Sequence, residues 1–110
     1  MLPPERGNEL EIDVERTDLT LSEGKARLID VREEWEFRRR RVPGAALVPL
    51  ALLPVRVDEL PRGERILVIC EHGNRSLAAA DFLRRRGFDA VSVAGGTSAW
   101  ARAGKPVEEG

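Results

Sequence analysis

The chain reads as an α/β sandwich built around a mostly parallel sheet, and three observations predict it. Residues 65–70 hold an unbroken apolar run, Ile66-Leu67-Val68-Ile69, ending in Cys70. Consecutive apolar positions mark a strand covered on both faces, as in a parallel sheet. A short loop containing Gly73 and then a segment with helical patterning follow at once. Along the rest of the chain, short strand-like stretches alternate with helical ones, with no internal repeat and no low-complexity linker. Folds of this class place ligand sites at the carboxyl ends of strands, so the loop after Ile69 is where chemistry is expected.

Taken in order, residues 1–9, with Pro3, Pro4 and Gly7, read as a loosely attached tail. Residues 11–14 alternate polar and apolar, which suits a short strand. Residues 17–25 are polar and turn-rich, with a weak pattern for a short helix. Residues 26–32 form the second strand. Residues 33–41 read as a helix whose acidic start and basic end match the macrodipole, with Trp35 as its anchor. Pro43-Gly44 breaks it, and residues 45–48 make another short strand closed by Pro49. Pro54 inside residues 50–60 limits any helix there to a short or irregular one, and Pro61 ends it. Residues 76–86 give the clearest helix, with Leu77, Ala80, Leu83 and Phe82 as its apolar stripe. Three arginines lie at its end, and Gly87 followed by apolar Phe88 is its stop signal. Residues 90–93 are a further strand, Gly95-Gly96 is a turn, and Thr97 caps a last short helix carrying Trp100.

Composition narrows the classes. One domain suits 110 residues, and 42% hydrophobic with 34% charged is ordinary for a globular protein. The 18 basic and 19 acidic residues give no push toward nucleic acid or membrane. No apolar run approaches a membrane span, and residues 1–10 lack the apolar core of a signal peptide, so a cytoplasmic protein is expected. One cysteine excludes an intramolecular disulfide and a cysteine-rich metal site, and one histidine further weakens a metal reading.

Cys70, Gly73 and Arg75 at a strand–helix junction suggest a nucleophile. A cysteine of ordinary pKa about 8.5 can fall to roughly 3.5–7.5 in an electropositive setting. The helix N-terminus, the loop amides and Arg75 all offer such a setting. Gly73 supplies the permissive φ that a tight loop with converging amides needs. Arg75 has the fork to donate two parallel hydrogen bonds to an anion held in the loop. The plainer alternative is that Cys70 is a small buried residue ending a core strand.

Cys70-Glu71-His72-Gly73-Asn74-Arg75-Ser76 resembles the active-site loop of rhodanese-domain sulfurtransferases. Leu28-Ile29-Asp30-Val31-Arg32, followed by Glu36-Phe37 and Val42-Pro43-Gly44-Ala45, is similar to that family's upstream signature. Val93-Ala94-Gly95-Gly96 with Trp100 is similar to its C-terminal one. The match covers about residues 10–107, in order and at family spacing. The resemblance implies a single rhodanese-like domain, a three-layer α/β/α sandwich. It also implies that Cys70 takes sulfane sulfur from thiosulfate or a persulfide donor and passes it to a thiol or protein acceptor. Glu71, His72, Gly73, Asn74, Arg75 and Ser76 would then bind the donor and the persulfide, chiefly through their amides, with no metal or organic cofactor. A monomer or weak dimer is expected, without nucleic-acid or membrane partners.

Two alternatives stand beside this. One is a rhodanese-like relay or binding module with little small-molecule turnover. The other is a phosphatase or arsenate reductase of the same fold. The phosphatase relatives resemble C-x5-R, whereas Cys70 to Arg75 is C-x4-R, a cradle suited to one sulfur atom. Asp30 and Arg32 are expected to pair and brace the loop. His72 is expected at the solvent rim, Glu71 facing outward, and both tryptophans in the core. Arg40-Arg41 replaces the family's usual Gly-His within a run from Arg38 to Arg41. That run reads as a solvated helix end or, more sharply, as a basic rim attracting an anionic donor or an acidic partner.

Overall fold

The computed structural model of the chain describes residues 9–110. At its centre lies β4 (Arg65–Ile69), whose last four side chains are all fully buried. Burying an aliphatic side chain of this size contributes about 1.5–3 kcal/mol, so these four together rival the net stability of a small domain, about 5–15 kcal/mol. The remaining elements pack around that strand.

Four more strands join it: β1 (Glu11–Ile12), β2 (Ala26–Asp30), β3 (Ala46–Leu47) and β5 (Ala90–Val93). All pairings are parallel, in the order β1-β5-β4-β2-β3. Side chains alternate across β4 and build two cores. Ile66, Val68 and Cys70 point toward α3 (Leu53–Arg56) and α4 (Asn74–Arg85), meeting Leu53, Ala79, Ala80 and Leu83. Leu67 and Ile69 point the other way, to a core shared with Val91, Val93 and Trp100 beneath α1 (Val14–Ser22) and α5 (Gly96–Arg102). The expected three-layer sandwich is therefore present, with every strand parallel.

Several boundaries differ, each for a local reason. The first strand stops at Ile12 because the Asp13 carboxylate accepts from Arg16 N at 2.9 Å and caps α1, a longer helix than its polar sequence suggested. α2 (Glu34–Arg39) ends before the predicted residue 41, since Arg40 turns extended and gives its carbonyl to Arg32. Residues 50–59 are the irregular segment expected around Pro54, two 3₁₀ turns flanking the single turn of α3. α4 begins two residues earlier than predicted, with Gly73 at its N-cap. It ends as predicted: Gly87 has φ +90°, its N–H bonds Arg84 O, and Phe88 N–H bonds Leu83 O.

Two expectations are corrected. Trp35 is 61% exposed and anchors nothing; α2 buries none of its residues and is held by polar contacts. Trp100 is buried as expected, its indole N–H donating to Pro106 O at 2.7 Å. Thr97 is not the cap of α5; Gly95 is, and Thr97 lies inside the helix, turned toward the loop after β4. The predicted tail falls outside the described residues except for Glu9, which is fastened: its carboxylate pairs with Arg16 and its carbonyl accepts from Arg84. Past residue 107, Glu108 still pairs with Arg41 through two backbone hydrogen bonds of 2.9 Å.

Candidate active site

Three strands adjacent in the sheet, β5, β4 and β2, deliver their carboxyl ends to one place. β4 delivers Cys70, which is 1% exposed. The chain then turns through Gly73, whose φ of +104° is open to glycine and strained for other residues. That turn brings two amides back onto the sulfur. Gly73 N–H donates to Cys70 Sγ at 3.1 Å and Ser76 N–H at 3.3 Å. Ser76 Oγ lies 3.3 Å from the same sulfur. Gly73 and Ser76 are the N-cap and third residue of α4, so donors that a helix leaves without intrahelical partners converge on Sγ. This arrangement favours negative charge on the sulfur.

The loop is gripped from behind by the start of α5. Thr97 N–H and Thr97 Oγ1 both donate to Cys70 O, at 2.8 and 3.1 Å, and Ser98 N–H donates to Glu71 O at 3.0 Å. Gly96 permits this approach, because a Cβ there would sit 2.4 Å from Cys70 O. What reads in sequence as a turn is thus a buttress for the loop that carries Cys70.

β2 delivers Asp30 and Arg32, paired as expected and fully buried. Arg32 Nε reaches both Asp30 oxygens, at 3.0 and 3.1 Å, and Nη2 reaches Oδ2 at 2.8 Å. Its Nη1 donates to Glu71 Oε1 at 3.0 Å, tying β2 to the loop. Burial opposes charge on the guanidinium, but Asp30, with Glu71 behind it, outweighs that and holds Arg32 above its ordinary value. Glu71 also accepts from Arg40 Nη2 at 3.2 Å. Its carboxylate therefore faces away from the sulfur, held between two arginines. His72 is exposed at the rim as expected, and Asn74 is exposed at the start of α4.

Arg75 departs from expectation. Its guanidinium does not reach into the loop; it makes a two-pronged bond to Glu36 on α2, at 2.8 and 2.9 Å. The bond from Arg75, opposed by burial and aided by Glu33 N–H, holds the Glu36 carboxyl down at about 2. The same pair pushes Arg75 up. Carboxylate and guanidinium satisfy each other's geometry, which leaves two amides and the Ser76 hydroxyl as the groups facing the sulfur.

Beside Glu71 opens a cavity of about 500 Å³ lined by Arg32, Trp35, Glu36, Arg39, Arg40, Glu71 and Glu109. Its three arginines face three glutamates, so no strong field of one sign builds there. Within the Arg38–Arg41 run, Arg38 pairs with Glu34, Arg40 with Glu71 and Arg41 with Glu108. Within the run read as a basic rim, Arg39 is the arginine with no carboxylate partner among the described residues.

Residue reasoning missed the partnership of Glu36 with Arg75, the grip of Gly96 and Thr97 on the loop, and Ser92. Ser92 is fully buried in β5, 2.8 Å from Ser76 Oγ. Its one visible signal was a hydroxyl interrupting an apolar strand.

Comparison with known proteins bears on the family of this fold. The model of the rhodanese-like domain matches residues 13–103. A sulfurtransferase of Allochromatium vinosum is 33% identical over 99 residues, covering 88% of this chain and 92% of its relative. A rhodanese-related protein from Thermoplasma volcanium superposes with a TM-score of 0.80 at 34% identity, over 89% of this chain and 96% of that one. A thiosulfate sulfurtransferase from Pseudomonas aeruginosa gives a TM-score of 0.82 at 29% identity, over 93% of this chain but only 20% of that larger one. With the site at the end of β4, the buttress after β5 and a family match spanning most of its length, the chain belongs to the rhodanese-like domain family.

Proposed function

We propose that the protein is a sulfurtransferase that carries sulfane sulfur as a persulfide on Cys70. The observation that carries this reading is the convergence of Gly73 N–H, Ser76 N–H and Ser76 Oγ on a buried sulfur in a loop of six residues. In the first displacement the Cys70 thiolate attacks the outer sulfur of thiosulfate. A new bond forms between Sγ and that sulfur, the sulfur–sulfur bond of the donor breaks, and sulfite leaves with the electron pair. In the second, an acceptor thiolate attacks the terminal sulfur and Cys70 leaves as thiolate, so that the acceptor gains the sulfur and the enzyme is regenerated. The amides of Asn74 and Arg75, in the first turn of α4, have no intrahelical acceptor and are available to the terminal sulfur and to donor oxygens. Glu71 stays clear of the anion because Arg32 and Arg40 hold it.

The test is turnover with thiosulfate and cyanide. Thiocyanate should form with the wild type and fall to background in C70S; wild-type turnover no faster than C70S would overturn the thiosulfate reading. One observation favours a relay between proteins as second reading. Arg75, the arginine of the loop sequence, is committed to Glu36. A relay would show a persulfide on Cys70 that passes to a thiol acceptor, with negligible thiocyanate formation.

A further inference from the structure

Ser92 sits in the middle of β5, and the displacement chemistry makes no use of it. Its Oγ lies 2.8 Å from Ser76 Oγ, which in turn lies 3.3 Å from Cys70 Sγ and 3.2 Å from Gly73 O. All three side chains are buried, so water does not complete their hydrogen bonds. We infer that Ser92 is a positioning residue for the nucleophile: its hydroxyl donates to Ser76 Oγ and thereby frees the Ser76 proton for a negatively charged sulfur.

Counting protons fixes the direction. Each hydroxyl has one proton and can accept twice. If Ser76 donated to Ser92, both the sulfur and Gly73 O would lose the Ser76 proton, and the Ser92 proton would need another buried acceptor. If Ser92 donates to Ser76, every proton in the line has a place. With Cys70 as thiol, S–H and Ser92 O–H both point at Ser76 Oγ, and Ser76 donates to Gly73 O. With Cys70 as thiolate or persulfide, Ser76 swings its proton to sulfur while still accepting from Ser92. A hydroxyl that accepts a hydrogen bond is polarised into a stronger donor, so Ser92 strengthens the bond that the charged sulfur receives.

The ionisable groups around Cys70 are Glu71 and His72 in the loop, Arg75 on α4, Asp30 at the end of β2, Arg32 just after it, and Glu36 on α2. β5 has none, and α5 has only Arg102, in its last turn. A Ser92→Ala change leaves all of them in place, so a shift in Cys70 titration would come through the hydroxyl line. The inference rests on Cys70 working as a thiolate in sulfur transfer, but its test needs no sulfur donor.

That test is a pH titration of the thiolate's ultraviolet absorption, with C70S as blank. The chain has one cysteine and no tyrosine, so no phenolate obscures the band. S92A, which removes one oxygen and adds no bulk, should raise the Cys70 midpoint by about half a unit, or about threefold less thiolate below the midpoint. S76A should raise it further, and S76A/S92A should match S76A. An S92A midpoint equal to wild type would overturn the inference, and so would an S92A shift that persists undiminished in the S76A background. A midpoint pattern as expected, with no persulfide formed from any donor, would instead count against the sulfur-transfer reading alone.

Discussion

Glu36 binds Arg75 through two bonds below 3 Å, and this pair contributes to how the fold responds to acid. Arg75 holds the Glu36 carboxyl at about 2, against an ordinary 4.5. A carboxyl whose folded pKa is lowered contributes stability that is fully present above its unfolded pKa and is lost as pH falls through the folded one. Glu36 should therefore contribute on the order of 2 kcal/mol above about pH 4.5, discounted for the exposed side of Arg75, and that contribution should fade toward pH 2. Urea unfolding of E36Q should show lower stability than wild type at neutral pH and a shallower loss between about pH 4.5 and pH 2. Equal acid slopes in the two proteins would contradict this role. Cys70, Gly73, Asp30 and Arg32 were legible in the sequence because strand ends, permissive φ and opposite charge two residues apart are local features. The use of Arg75 was not, since its partner lies 39 residues away on another helix.

Among the elements, the two tryptophans make the contrast between local pattern and tertiary context. Trp35 looked like the anchor of α2, yet that helix is six residues long and is held by the Glu36–Arg75 pair and a capping contact from Glu36 to Glu33 N–H. W35A should change unfolding free energy by less than about 0.5 kcal/mol, whereas W100A, which empties the core under α5, should cost about 3–5 kcal/mol. Comparable losses in the two variants would contradict the packing described. The strands and α4 were readable because four consecutive apolar residues and a glycine stop signal carry their own physics. The role of α5 was hidden: Gly96 reads as a turn residue, and only the fold places it against Cys70 O. G96A adds a Cβ against rigid backbone at φ +62°. It should lower stability by about 2–4 kcal/mol and slow persulfide formation even where the protein remains folded. A G96A protein with wild-type stability and rate would remove the buttress from the account.

At the scale of the whole molecule, charge is balanced both overall and at the site. A formal net charge of −1 accompanies a cavity whose arginines and glutamates cancel. The second-order rate with thiosulfate should thus fall by less than about threefold between roughly 20 and 200 mM salt, and a steeper fall would restore the basic rim to a steering role. The sequence showed four arginines in a row; only the folded chain shows three of them paired with Glu34, Glu71 and Glu108. Fold class, by contrast, was readable at this scale, because alternating strands and helices around one doubly covered strand admit few arrangements. The parallel sheet then brings three strand ends together, so that one loop holds a sulfur under converging donors. Intact-protein mass spectrometry after incubation with thiosulfate or a small persulfide donor tests that arrangement most directly. A gain of one sulfur atom, removed by dithiothreitol and absent in C70S, is expected. A wild-type protein that stays at its unmodified mass with every donor, while Cys70 still titrates as a free thiol, would contradict it.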